Sequence, residues 1–278
     1  MPLSPTQVAI GLVLAAAGSA QAAPTVEIRH AVARVVVIPG IRSGISVAFL
    51  KTSKRLPLRV IRVGRRLVIE GDTGHRIGAC RTVLGQPAVS VRGRGEIAWR
   101  DMPQIVIYTP MDARVSVGEA VFGSIGRSDS LAFSNSGCGD WTIANVRGHL
   151  RLSQAGAGDT RTGAAGSADL SVAGSGVVET RAIRDGLEAV SSGAGDIAAE
   201  QVSGPLNVRI AGSGDIRAPT GQVTRMTADV AGSGDVRFGG VAQSLNASVA
   251  GTGGVIVAQV TGPVRKRVFG SGGVRVGR

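Results

Sequence analysis

The sequence predicts an all-β protein: a single-stranded parallel β-solenoid, or β-helix, of about eight coils of ~19 residues after an irregular β-rich N-terminal region. Three observations carry this. A Gly-x-Gly signature recurs at Gly137, Gly156, Gly174, Gly193, Gly212, Gly232, Gly251 and Gly270, in steps of 19, 18, 19, 19, 20, 19 and 19 residues. Apolar residues alternate with polar ones before each signature, as in Leu206, Val208 and Ile210, or Leu245, Ala247 and Val249. A shorter alternation follows it, as in Ile216 and Ala218, or Val236 and Phe238. Period-two alternation marks a strand with one face buried.

At the start of the chain, residues 1–22 carry an apolar run from Val8 to Ala17 and then Ala20-Gln21-Ala22, the cleavage pattern of a secretory signal peptide. The run is shorter than the roughly 20 residues a spanning helix needs, so cleavage is expected over an uncleaved anchor, although the segment has no Lys or Arg. It has no Cys either, which excludes a lipid-anchored lipoprotein. With no later stretch long and apolar enough to span a membrane, the mature chain is expected in the periplasm, on the cell surface or outside the cell. In such an oxidising compartment the two cysteines, Cys80 and Cys138, read as one disulfide, the alternative being two buried thiols.

Residues 23–117 form a basic, β-rich region. VEIRHAVARVVVIPG, ISVAFL, LPLRVIRVGRRLVIEGD and PQIVIYTPMDARVSVG each alternate apolar with polar or basic residues. Gly118 stands 19 residues before Gly137, so this region reads as early coils or as a capping sheet continuous with the solenoid. It holds 16 basic and six acidic residues, net +10, whereas residues 118–278 hold 15 and 13. Lys51, Lys54, Arg55, Arg59, Arg62, Arg65 and Arg66 are candidate anion-binding residues, since guanidinium groups pair bidentately with phosphate and carboxylate. Export argues against nucleic acid. The expected partners are anionic envelope polysaccharide or lipopolysaccharide, against a basic face kept only for solubility; a protein partner is not identifiable.

Residues 118–278 form the repeat array. A lone copy cannot bury its apolar face, but copies stacked about 4.8 Å apart bury a continuous core, giving a rod on the order of 40 Å long. The parallel-crossover rule makes it right-handed. The corners are Gly137, Gly139 and Asp140; Gly156, Gly158 and Asp159; Gly193, Gly195 and Asp196; Gly212, Gly214 and Asp215; and Gly232, Gly234 and Asp235. Glycine is expected there for its access to positive φ, and Asp for an Asx turn with the local backbone. The slot two residues before the first corner glycine reads Asn135, Gln154, Val172, Ser191, Ile210, Val230, Val249 and Val268, so polar groups enter the earlier coils. Lys266 takes an inward place in the last coil, where a charge protects the end from edge pairing and marks the array's expected terminus.

The AGSGDI and AGSGDV repeats, with the opening V-E-I and V-V-V-I-P-G, the R-L-V-I-E-G segment and P-Q-I-V-I-Y-T-P, resemble the bacterial family named "putative auto-transporter adhesin, head GIN domain". The resemblance covers nearly the whole mature chain. It implies an exported β-solenoid of the bacterial envelope, adhesin-like by label, and supplies no catalytic residues. No translocating barrel follows the last repeat, so the chain is not expected to be an autotransporter by itself.

The chemistry weighed against this is sparse. Calcium could stabilise the Asp column, but the ion takes about six to eight oxygens and each coil brings one carboxylate, interrupted at Val177, Gly254 and Gly273. Calcium therefore stays an alternative and no cofactor is expected. A glycan lyase or hydrolase on the same fold is the alternative activity, yet Glu179, Glu188, Glu200 and Asp229 form no obvious pair. Aromatic residues make up 3% of the chain, so sugar-stacking platforms reduce to Trp99, Trp141 and Tyr108, with Trp141 placed as core. His30, His75 and His149 are isolated in sequence, and no Ser and Asp stand out to complete a triad. The reading is a non-enzymatic, adhesin-like or structural protein.

Overall fold

The structure, a computed structural model, describes residues 23–277; the expected signal peptide lies outside the described residues. One sheet of 23 strands winds into a rod of stacked parallel coils. Two long ladders run its length. In the first, the inward row reads Leu67, Val26, Val115, Phe133, Leu152, Leu170, Ala189, Val208, Ala228, Ala247 and Lys266. In the second it reads Ile105, Val35, Gly123, Trp141, Thr160, Val178, Ile197, Ile216, Val236, Val255 and Val274. A third, shorter face adds Val146, Ala165, Ile183 and Val202, and later Val223 and Ala242. The apolar members of these rows form a single core, interrupted by Gly123 beneath Trp141, by Thr160, and by Lys266 at the top.

The register of the array is that of the glycine alignment. Asn135, Gln154, Val172, Ser191, Ile210, Val230, Val249 and Val268 follow one another up the first ladder. The buried polar members satisfy themselves at the corners: Asn135 Nδ2 donates to the Gly139 carbonyl (2.9 Å) and Ser191 Oγ to the Gly195 carbonyl (2.9 Å). Gln154 accepts from Thr160 Oγ1 at 3.0 Å, but its buried Nε2 has no partner.

The rod has about nine turns, with strands before Gly118 joining the ladders of the expected array as early coils. The chain enters two levels above the bottom. Strand Thr25–Arg29 lies between Arg66–Glu70 and Asp112–Val117, and Val32–Gly40 lies between Gln104–Pro110 and Ala120–Ile125. Residues 41–110 therefore build downward from the entry coil, and the array climbs from Asp112 onward. Two antiparallel strands form the lower end: Ser46–Lys51 pairs with Gln104–Pro110, and Arg59–Val63 with Arg66–Glu70.

A separate antiparallel sheet, Ile77–Val83, Gln86–Val91 and Gly95–Ala98, leaves the rod and packs on its side. Val89, Val91, Ile97 and Met102 meet Val32, Leu56, Ala120 and Phe122 in a second small core. Cys80 on this sheet is bonded to Cys138 at the first Gly-x-Gly corner, across 58 residues of sequence. Gly118 is not a corner glycine, because Val117 pairs with Asn135 and the step there is 18 residues. Glu119 takes the corner instead, with φ 54°.

Candidate functional site

Three regions could carry function: the Gly-Asp edge, a hollow on the flank, and the basic lower end.

On the Gly-Asp edge the carboxylates bond between coils, not within their own turn. Asp140 Oδ1 accepts from the backbone N–H of Asp159 (2.9 Å), Asp159 from Val177 (3.0 Å), Asp196 from Asp215 (2.8 Å) and Asp215 from Asp235 (2.8 Å). The expected local Asx turn is thus replaced by a staple to the next coil, whose N–H is left over when the flanking amides enter the ladder. The carbonyl of each such residue accepts in turn from the coil before, as Ile216 N–H to Asp235 O at 2.9 Å. Arg217 and Arg237 pair with Asp215, and Arg237 also with Asp235 (2.7 Å). The column is internally bonded and partly neutralised, and among the described residues no cluster of three or more His, Cys, Asp or Glu could hold a metal ion.

The corner glycines also differ from expectation. Among those of the five full corners only Gly232 has positive φ. What excludes a side chain is the coil below: a Cβ on Gly212 would lie 2.2 Å from the Gly193 carbonyl oxygen, and one on Gly214 2.1 Å from that of Gly195. Backbone meets backbone there because the Ser213 and Gly214 amides both point at the Gly193 carbonyl (3.1 and 3.3 Å).

The flank carries a hollow of about 740 Å³ with Ile143, Ala144, Gly163, Ala198 and Ala199 on its lining, together with Arg127, Arg161, Arg181, Glu179 and Glu200. Glu179 is held by Arg161 at 2.8 Å. No aromatic residue lines it. Trp141 is buried against Phe133, with its ring N–H on the Val121 carbonyl; Trp99 packs edge-on against Phe122 beneath Arg34; Tyr108 lies under Arg42. All three are thereby occupied.

His149, isolated in sequence, is not isolated in space. Its Nδ1 lies 3.0 Å from Ser167 Oγ and its Nε2 3.3 Å from Asp169, which also pairs with Arg151. Ser167 and Asp169 stand two apart on one strand, facing outward beside His149 on the next. The pairing register shifts between Val146 and His149, so this cluster sits beside an irregularity in the ladder.

The candidate anion-binding residues all fall at the lower end. Lys51 ends one outermost strand, Lys54 and Arg55 sit in the loop between the two, Arg59 and Arg62 lie on the other, and Arg65 and Arg66 form its hairpin. All seven are exposed. From 41 to 66 the chain has eight basic residues and no acidic one. Several also brace the end: Lys51 donates to the Arg100 carbonyl, Arg55 to that of Arg94, Arg62 to that of Ile45 (2.9 Å), and Arg66 pairs with Glu27. The side chains of Lys54 and Arg59 make no hydrogen bond or ion pair among the described residues. Nearby, the Arg94 guanidinium bonds Asp72 and holds its carboxyl below the usual range.

Residues 179–277 match the model of the family described as "Putative auto-transporter adhesin, head GIN domain", in agreement with the resemblance carried by the repeats. No curated protein matches the chain. Among solved structures, one described as a putative lipid binding protein from Parabacteroides distasonis is similar at 16% identity and TM-score 0.51, covering 92% of this chain and 93% of that one. Another, described as a putative cell adhesion protein from Clostridium sporogenes, aligns at 9% identity and TM-score 0.24, over 91% of each chain. At 16% identity the likeness to the first of these is one of fold. No helix of the described residues is long and apolar enough to cross a membrane.

Proposed function

We propose that this is an exported, non-enzymatic β-solenoid of adhesin-like or structural role, attaching to an anionic polymer of the cell envelope through the lower end of the rod. The observation that carries it is the run from 41 to 66, with eight cations and no carboxylate, exposed on the two outermost strands and the loops beside them. A field of one sign at the tip of a rod attracts polyanions at long range, and guanidinium groups fix phosphates and uronates on contact. The disulfide fits an oxidising compartment. The lipid-binding name of the structural neighbour from Parabacteroides distasonis accords with an envelope ligand.

Co-sedimentation of the mature protein with acidic polysaccharide and with lipopolysaccharide, at low and high salt, tests this. Binding that weakens with salt and is abolished by Lys54→Glu with Arg59→Glu is expected; binding untouched by that charge reversal would move the site elsewhere. The flank hollow favours a second reading, a glycan-processing enzyme using Glu179 and Glu200. Sugar released into the supernatant, and lost in Glu200→Gln, would establish it.

A further inference from the structure

The lower end is not only basic. Its two outermost strands leave apolar side chains in solvent: Leu50 is 62% exposed and Val63 65%, with Phe49, Val60 and Ile61 about two-fifths exposed. Between them the inward row of the solenoid runs out, since Phe49 and Val60 stand opposite the buried Ile105 and Ile69 with no further coil beyond them among the described residues. Beside Phe49 lies a hollow of about 230 Å³, lined by Leu56, Leu58, Pro103 and Lys54 among others.

Solubility would account for the cations but not for exposed Leu and Val beside them. A polysaccharide would engage the cations and leave the apolar groups in water. A second copy of the chain would set like charges against one another along unpaired strand edges. A surface that is anionic outside and apolar beneath satisfies both sets.

We infer that the lower end docks on an anionic lipid layer. Lys54, Arg55, Arg59 and Arg62 meet the headgroup phosphates, while Leu50 and Val63 enter the acyl boundary; Arg59 and Val63 share one face of their strand, so a single surface presents both kinds of group. The docking strands close one end of the rod, so the coils project away from the layer and leave the flank and the Gly-Asp edge in solvent. This rests on the proposed attachment to an anionic surface and names that surface as lipid.

The test uses the mature full chain with vesicles of phosphatidylethanolamine alone and of equal parts phosphatidylethanolamine and phosphatidylglycerol, with soluble dextran sulfate as a headgroup-free polyanion. Sedimentation with the anionic vesicles only is expected. Leu50→Ser with Val63→Ser, both exposed and so harmless to folding, is expected to weaken vesicle binding about tenfold and leave salt-sensitive dextran sulfate binding intact; Lys54→Glu with Arg59→Glu loses both. Vesicle binding unchanged by the serine pair overturns the insertion. Dextran sulfate binding without vesicle binding overturns the lipid inference and spares the polymer reading, whereas binding to neither ends both. Self-association in solution, abolished by the serine pair, would show that a second copy covers this end.

Discussion

At the scale of single residues, the corner is where two coils come closest, and its glycine is fixed by the coil below and its Asp by the coil above. Gly214 has no room for a methyl group against the Gly195 carbonyl. Gly214→Ala is therefore expected to cost about 3 kcal/mol, measured by urea unfolding. Gly44→Ala, where nothing lies within 4 Å, should change little and serves as the control. If the two variants unfold alike, backbone proximity is not what holds glycine there. Asp215 bonds the next coil through Oδ1 and pairs with two arginines, so Asp215→Ala is expected to cost about 1–2 kcal/mol. Asp215→Asn, which keeps the acceptor oxygen, should cost less, and chelator should leave the melting temperature unmoved. A melting temperature that falls on chelation would instead assign the column to calcium. The positions of these residues were legible in the repeat, but their reasons were not. Sequence spacing shows that Gly and Asp recur every coil; it does not show that the bond partner is the next copy and not the local turn.

At the scale of elements, the first third of the chain was legible as strands and not as topology. VEIR, VARVVVIPG and RLVIE alternate as strands should, yet no period connects them, because the chain descends from its entry coil before it climbs. A fixed period survives only where each coil is laid on the one before. The three-stranded side sheet lies outside the segments that alternation marked as strands, and only Cys80, which the cysteine count tied to Cys138, pointed to it. That bond joins the side sheet to the first Gly-x-Gly corner. Loop-closure entropy over 58 residues makes it worth about 2–4 kcal/mol. Cys80→Ser with Cys138→Ser is expected to lower stability by that amount under non-reducing conditions. Reductant should destabilise the wild type and leave the double variant unaffected. A double variant that melts with the wild type would mean that the second core, through Phe122 and Trp99, holds the side sheet alone. The basic end was legible as a composition, 41 to 66 without a carboxylate. That its apolar alternation stays in solvent was not, because alternation reads the same whether or not another coil covers it.

At the scale of the molecule, each coil touches mainly the coils above and below, so stability is close to a sum of neighbouring interfaces and the ends are where it is weakest. The two ends differ. The lower one is bounded by antiparallel strands, braced by arginine-to-carbonyl bonds, flanked by the side sheet and tied by the disulfide. Among the described residues the upper coil has only a bond from Lys266 Nζ to the Val274 carbonyl (3.2 Å): strand Val264–Gly270 is exposed along its whole length, and Lys266 stands in its inward row above Ala247. Opening that coil breaks one interface, whereas opening a central coil breaks two and exposes rows such as Val208, Ala228 and Ala247. Amide exchange followed by mass spectrometry is therefore expected to show protection that is greatest from about Leu170 to Val230, falls toward the upper end, and is lowest over 264–276. The lower end should stay protected until the disulfide is reduced. Uniform protection along the rod would mean that the coils unfold as one cooperative unit, and fraying that begins at residues 46–63 would mean that the antiparallel strands do not seal the end they form.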